Sequence, residues 1–150
     1  MDRQKLSEWM QTESGRVREL SANLREHIIA VPSGSREIWL QELVQRFEHF
    51  TAHFQRMMII EEEDGYLLPV IEVRPTLAKQ VELLQREHHE LRHLTEELQR
   101  TVKSLKPDEN LLIRDCCTRL QIFLGHVDRH EQHENHIVLY TLSQDIGASD

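Results

Sequence analysis

Apolar residues recur in alternating steps of three and four through four long segments of this 150-residue chain. Such steps place apolar side chains on one face of an α-helix, whereas a half-buried strand requires a period of two. The segments cover residues 5–30, 36–63, 76–105 and 109–143. A helix with one apolar face cannot bury that face alone. The pattern therefore predicts an all-α fold, an antiparallel up-down four-helix bundle.

Three breaks separate these segments, and each contains proline together with glycine or polar residues. They read VPSGS at 31–35, DGYLLPVIEVRP at 64–75 and KPDEN at 106–110. Because proline and glycine end helices, we expect turns at the first and third breaks and a structured loop rather than a helix at the second. Residues 1–150 are predicted to form a single domain, with a polar tail that leaves the bundle from about residue 144.

Composition and charge argue against several classes of partner. The net charge is −8, which disfavours binding to nucleic acid or to an anionic membrane surface. No apolar run approaches the ~18 residues of a membrane-spanning helix. The two cysteines, Cys116 and Cys117, are adjacent and do not suggest a disulfide scaffold. We expect a soluble cytoplasmic protein that binds neither nucleic acid nor membranes.

Polar residues interrupt all four apolar faces at positions where leucine would normally pack. The interruptions are Glu13 and His27 in the first segment, Glu61 in the second, His88 in the third, and His130 and Glu134 in the fourth. His53 and His126 lie at the edges of the second and fourth faces. We expect the remaining histidines to lie on the surface: His49, His89, His93, His133 and His136.

Inward histidines and carboxylates on facing helices are the ligands of di-iron and di-manganese sites in bundles. Burying such groups without a partner costs several kcal/mol, so they are normally paired or bound to metal. Imidazole and carboxylate together suit iron or manganese, and the absence of cysteine ligands disfavours a closed zinc site. The alternative for any single inward histidine is a core residue that is hydrogen-bonded to a neighbouring helix.

The sequence resembles the hemerythrin family of HHE cation-binding domains. The resemblance rests on REHII around His27, EEEDGYLLP after the second helix, LLQREHHELRHL around His88 and HEQHENHIVLY around His130 and Glu134. It implies a four-helix bundle that holds two non-haem irons through histidines and two bridging carboxylates. Carried over, His27, Glu61, His88, His130 and Glu134 would be ligands. The family implies handling of O₂, NO or peroxide, or delivery of iron.

The second helix departs from the H-x-x-x-E pattern of that family. Met57 stands four residues before Glu61, where a histidine is expected. His53 lies one turn earlier, ~12 Å from Glu61 along a helix, so both residues cannot hold the same pair of irons in a regular helix. One expected ligand is therefore missing, and a single metal ion would result if its loss breaks the pair.

Folding the chain back at each break predicts which residues of neighbouring helices lie at the same height along the bundle. This construction places His53 level with Glu87 and His88, and His88 level with His126. It leaves His27 ~20 Å from the level of His53. Geometry thus favours a cluster of His53, His88, His126 and His130, whereas the family motif favours His27. Glu13 is an alternative first-helix ligand.

These observations give a leading hypothesis and two alternatives. The leading hypothesis is a protein with two non-haem iron ions, or manganese, that handles a small diatomic ligand or peroxide. Its candidate metal ligands are His27, His53, Glu61, His88, His126, His130 and Glu134. The second hypothesis is a degenerate bundle without a complete metal site that acts as an interaction or sensor module. The third is an iron-trafficking protein. The pattern does not decide whether the chain is an enzyme.

Overall fold

A computed structural model describes residues 3–63, 67–139 and 141 of the chain. Its helices are α1 (Arg3–Ile29), α2 (Glu37–Glu63), α3 (Leu67–Val73), α4 (Ala78–Ser104) and α5 (Asn110–Glu134). A 3₁₀ turn, Pro75–Leu77, precedes α4, and a π-helical turn, Asn135–Leu139, continues from α5. The described residues contain no strand, which confirms the all-α prediction. None of their helices is long and apolar enough to cross a membrane.

The second break contains a helix that the sequence analysis did not predict. We expected a structured loop over 64–75, but Leu67–Val73 form α3, so that prediction was wrong for these residues. Pro69 is the third residue of α3, and a proline in the first helical turn removes an N–H group that has no intrahelical partner. Residues 64–66 and the predicted tail from about residue 144 lie outside the described residues.

The four long helices contact one another in a closed ring: α1 touches α2 and α5, and α4 touches α2 and α5. The main core contains four phenylalanines from α2 and α5: Phe47, Phe50, Phe54 and Phe123. A smaller core surrounds α3 and contains Leu6, Met10, Val70, Val81, Leu84, Ile137 and Val138. In α5 and the residues that follow it, the steps of three and four fall on buried residues throughout: Ile113, Cys116, Leu120, Phe123, Val127, His130, Glu134, Ile137 and Thr141.

The alignment of residues along the helices agrees with the prediction for α1 against α2, but not for α2 against α4 or for α4 against α5. His27 contacts Trp39, close to the position along α2 that the prediction gives it. His88, by contrast, lies beside Glu61 instead of His53, a displacement of about two turns along α2. Helix α3 fills the intervening break, so the chain does not simply fold back at its midpoint. On α5, His88 meets Glu134 rather than His126.

Candidate metal centre

Three buried side chains from α4 and α5 converge on one point. His88 Nε2 lies 3.0 Å from Glu134 Oε2, and His130 Nε2 lies 3.3 Å from the same oxygen. One potential ligand atom from each of the three residues falls within 4.8 Å of the others. His88 and Glu134 have no exposed surface, and His130 is 3% exposed. Among the described residues, this is the group of histidines and carboxylates whose geometry suits a metal ion.

Each histidine of this group is held from behind by a carboxylate. His88 Nδ1 donates to Glu62 Oε1 at 3.1 Å, and His130 Nδ1 donates to Glu87 Oε1 at 2.8 Å. Arg92 in turn donates to Glu62 at 3.2 Å. Carboxylates in this position fix the orientation of the ring and direct Nε2 toward a metal. Both imidazoles are therefore oriented as metal ligands.

Electrostatics favour positive charge at this point. Burial alone would lower the pKa of His88, but hydrogen bonds and charges from Glu134 and Glu62 outweigh it and raise the pKa. The pKa of His130 is raised in the same way: burial lowers it, and Glu134 and Glu87 outweigh that effect. Burial would raise the pKa of Glu134, but its bonds to His130 and His88 lower it instead. The group thus keeps a carboxylate anion in the interior.

Glu61 lies against the same group from the end of α2. Its Oε2 is 3.3 Å from His88 Nε2, and the residue is 1% exposed. Glu61 therefore adds a second buried carboxylate beside His88, next to the group formed by His88, His130 and Glu134. His88 Nε2 lies within hydrogen-bond distance of Glu134, and a cation between the two groups would satisfy both of them. The donor set fits a bound iron or manganese ion.

The other predicted ligands lie away from this group. His27 Nε2 is 2.9 Å from the carbonyl oxygen of Trp39, and burial lowers the pKa of its imidazole. His53 Nε2 lies 2.9 Å from Glu13 Oε2, while Arg56 donates to its Nδ1 at 3.3 Å.

His126 is exposed on α5, where Arg129 donates to its Nδ1 at 2.6 Å. Thus the structure brings together His88, His130 and Glu134, with Glu61 beside His88, and it leaves His27, His53 and His126 elsewhere.

Met57, which occupies an expected ligand position, is buried in the phenylalanine-rich core. It is 2% exposed and lies one turn before Glu61 on α2. A thioether is a soft ligand and a poor match for the carboxylate-rich centre. The structure therefore offers no replacement for the missing α2 histidine at this position.

Three carboxylates in or beside this centre are not among the predicted site residues: Glu62, Glu87 and Glu131. Glu131 is 5% exposed, and burial followed by the charge of Glu134 raises its pKa to about 8. A signal for it exists in the sequence, because Cys117, Leu124, Glu131 and Val138 recur at intervals of seven and form a second inward row on α5. Glu62 and Glu87 resemble ordinary surface acids and carry no such signal.

A cavity of about 360 Å³ lies between α4 and α5, next to the centre. Its walls include His130 together with Glu87, Leu91, Leu94, His126 and Arg129. His130 is the residue of the converging group that lines this cavity, whereas His88 and Glu134 lie behind it.

A family model described as Hemerythrin HHE cation binding domain matches residues 5–142 of the chain. Neither a search of curated proteins nor a search of solved structures finds a match. The matched region includes the whole of the converging group and all four long helices except for the first residues of α1.

Proposed function

The chain belongs to the hemerythrin HHE cation-binding family, and from this premise we propose that His88, His130 and Glu134 hold one non-haem iron ion that binds a small ligand. The ligand class is O₂, NO or peroxide. The observation that carries the proposal is the convergence of two carboxylate-backed imidazoles on one buried carboxylate. Manganese is the alternative metal for the same ligand set.

The number and type of ligands support one ion with open coordination positions. Two histidines and one carboxylate are the protein ligands of non-haem Fe(II) sites that leave positions open for small molecules. Glu61 would be a fourth ligand, since it lies 3.3 Å from His88 Nε2. The bound ion would supply Lewis acidity and, in the case of iron, redox chemistry.

The role of the protein chain in this proposal is to orient and shield the site. Glu62 and Glu87 hold the two rings in place, and the buried surroundings exclude bulk water. The scaffold that we propose is the antiparallel up-down four-helix arrangement of α1, α2, α4 and α5. It is supported by contacts that join late residues of one helix to early residues of the next, as in His27 with Trp39.

Metal analysis of protein purified without a metal-affinity tag tests the proposal. We expect about one iron ion per chain that depends on the two histidines, and His88→Ala and His130→Ala should remove it. His93→Ala, on the exposed face of α4, is the matched control and should keep the iron. If the protein takes up no iron even after anaerobic addition of ferrous iron, the proposal is wrong.

A second candidate function rests on the hydrogen bonds that this polar group makes without a metal. His88 donates to Glu134 at 3.0 Å and to Glu62 at 3.1 Å, although His130 Nε2 has no hydrogen-bond partner among the described residues. A bundle of this kind could act as an interaction or sensor module. The metal analysis separates the two functions, because a sensor without metal keeps its fold and contains no iron.

A further inference from the structure

Three oxygen-bearing side chains meet between α1 and the end of α5, next to the proposed iron site. Ser14 Oγ lies 3.0 Å from Glu131 Oε2 and 3.1 Å from Asn135 Oδ1. Ser14 is 3% exposed and belongs to a row of buried serines on α1 that recurs every seven residues, with Ser7 and Ser21. The carboxylate of Glu131 is thus buried against a row of small polar side chains on α1.

The Ser14 hydroxyl cannot satisfy both of the oxygens that face it. The single hydroxyl proton of Ser14 faces two acceptor oxygens, one from Glu131 and one from Asn135. The second oxygen of Glu131, Oε1, is buried and has no hydrogen-bond partner among the described residues. A buried carboxylate oxygen without a partner costs free energy unless a cation or a proton binds there.

The surroundings leave room for an ion and a route to solvent. A cavity of about 310 Å³ lies on the outer side of the group, lined by Ser14, Glu131 and Asn135 together with Gln132. Two arginines also line it. Arg25 is neutralised by Asp128 at 2.5 Å, and Arg18 lies on the exposed surface.

From this arrangement we infer that Glu131 forms a second cation site, with Ser14 Oγ and Asn135 Oδ1 as its neutral ligands. Its ligands are all oxygens, in contrast to the imidazole-bearing iron site, so it would prefer a hard divalent ion such as Mn²⁺ or Mg²⁺. Water from the cavity would supply the remaining ligands. The inference rests on the proposed function in one respect, since the two sites would be neighbours in one centre.

Counting bound Mn²⁺ tests the second site separately from the first. The full-length protein is stripped of metal by a chelator and titrated with Mn²⁺, and free Mn²⁺ is followed by electron paramagnetic resonance. We expect about two ions per chain in the wild type and about one in Glu131→Gln, with the affinity of the lost site reduced about 100-fold or more. His88→Gln should also bind about one ion, the one held by Glu131.

Three further variants sharpen the test. Ser14→Ala should weaken the second ion about tenfold without changing the first. Gln132→Ala removes a neighbouring side chain in the same cavity and should leave both ions unchanged, which makes it the matched control. Arg18→Gln removes positive charge near the site and should strengthen the second ion. Circular dichroism confirms that each variant is folded.

Other results overturn the inference without affecting the proposed function. A wild-type count of one ion that disappears in His88→Gln supports the iron site alone and excludes the second. A Glu131→Gln variant that binds no ion would make Glu131 a ligand of the first metal and would contradict a separate site. If His88→Gln retains the full count, the proposed iron site fails while the Glu131 site stands or falls by its own variant.

Discussion

Buried histidines lie toward opposite ends of α2 in two clusters, His27 with Trp39 and His88 with His130, and the clusters differ in what contacts the ring nitrogens. Near the start of α2, His27 stacks on Trp39 with ring centroids 4.9 Å apart and nearly parallel planes. Its Nε2 lies 2.9 Å from the Trp39 carbonyl oxygen, and Trp39 Nε1 donates to the His27 carbonyl at 3.1 Å. Near the end of α2, His88 and His130 contact only carboxylates through their nitrogens.

The difference shows that a buried histidine becomes a candidate metal ligand through its partners, not through its position alone. A backbone carbonyl engages Nε2 of His27, so that nitrogen is used in holding α1 against α2. In the other cluster a carboxylate holds Nδ1 of each ring and leaves Nε2 directed at Glu134. Correspondingly, burial lowers the pKa of His27, whereas carboxylates outweigh burial and raise that of His88.

The largest effect is expected from exchanging the carboxylate that His88 and His130 share. Glu134→Gln should lower iron content from about one ion per chain to nearly none, because it removes the buried charge that both imidazoles contact. Glu13→Gln, beside His53 and outside both clusters, should leave iron content unchanged. Plasma mass spectrometry on the two purified variants measures both values. Equal iron in the two variants would contradict the role of Glu134 in the His88 cluster.

The carboxylates behind the rings should have an intermediate effect. Glu62→Gln and Glu87→Gln should each weaken metal binding about 10–100-fold, because the ring behind each ligand nitrogen is no longer held by a charged acceptor. Competition with a chelator of known affinity measures the change. Glu42→Gln is the matched control, since Glu42 Oε2 lies 3.8 Å from His27 Nδ1. An equal loss in the control would contradict a local role.

The side chains that face the interior could largely be predicted from the sequence, because helical periodicity is a local property. The steps of three and four place His88, His130 and Glu134 on inward faces, and all three are buried. The same spacing places Glu61 on the inward face of α2 near the end of the helix, and Glu61 is buried. The all-helical fold and the inward carboxylate and imidazole groups are therefore consequences of spacing alone.

The alignment of residues along neighbouring helices could not be predicted, because it depends on the conformation of the breaks. An unpredicted helix, α3, shifts α4 so that His88 meets Glu61 rather than His53. The partners of the histidine ring nitrogens could not be predicted either. Nothing in the local pattern distinguishes Glu62 and Glu87, which hold the histidines, from the other acidic residues of α2 and α4. Glu131 is different, since its heptad relation to Leu124 and Val138 could have revealed it.

A smaller effect is expected at the tryptophan that holds His27. Trp39→Phe keeps an aromatic ring but removes the donor to the His27 carbonyl, which should lower the free energy of unfolding by about 1–1.5 kcal/mol. Iron content should not change. Urea unfolding of the metal-free protein measures the loss, with Trp9→Phe, on the edge of the core, as control. A Trp39→Phe protein that lost its iron would link the two clusters.

The smallest effect concerns pH, and its sign differs between the clusters. The pKa of His27 in the folded protein is lowered from 6.5 by burial, so its contribution to stability is complete above pH 6.5 and is lost as the pH falls through the folded value. His27→Gln should therefore flatten the decline in stability below pH 6.5. In the metal-free protein the raised pKa of His88 acts in the opposite sense, with a contribution that is complete below pH 6.5 and lost as the pH rises. Titration of the imidazole proton signals by nuclear magnetic resonance measures both, and midpoints on the same side of 6.5 would show that partners do not separate the two clusters.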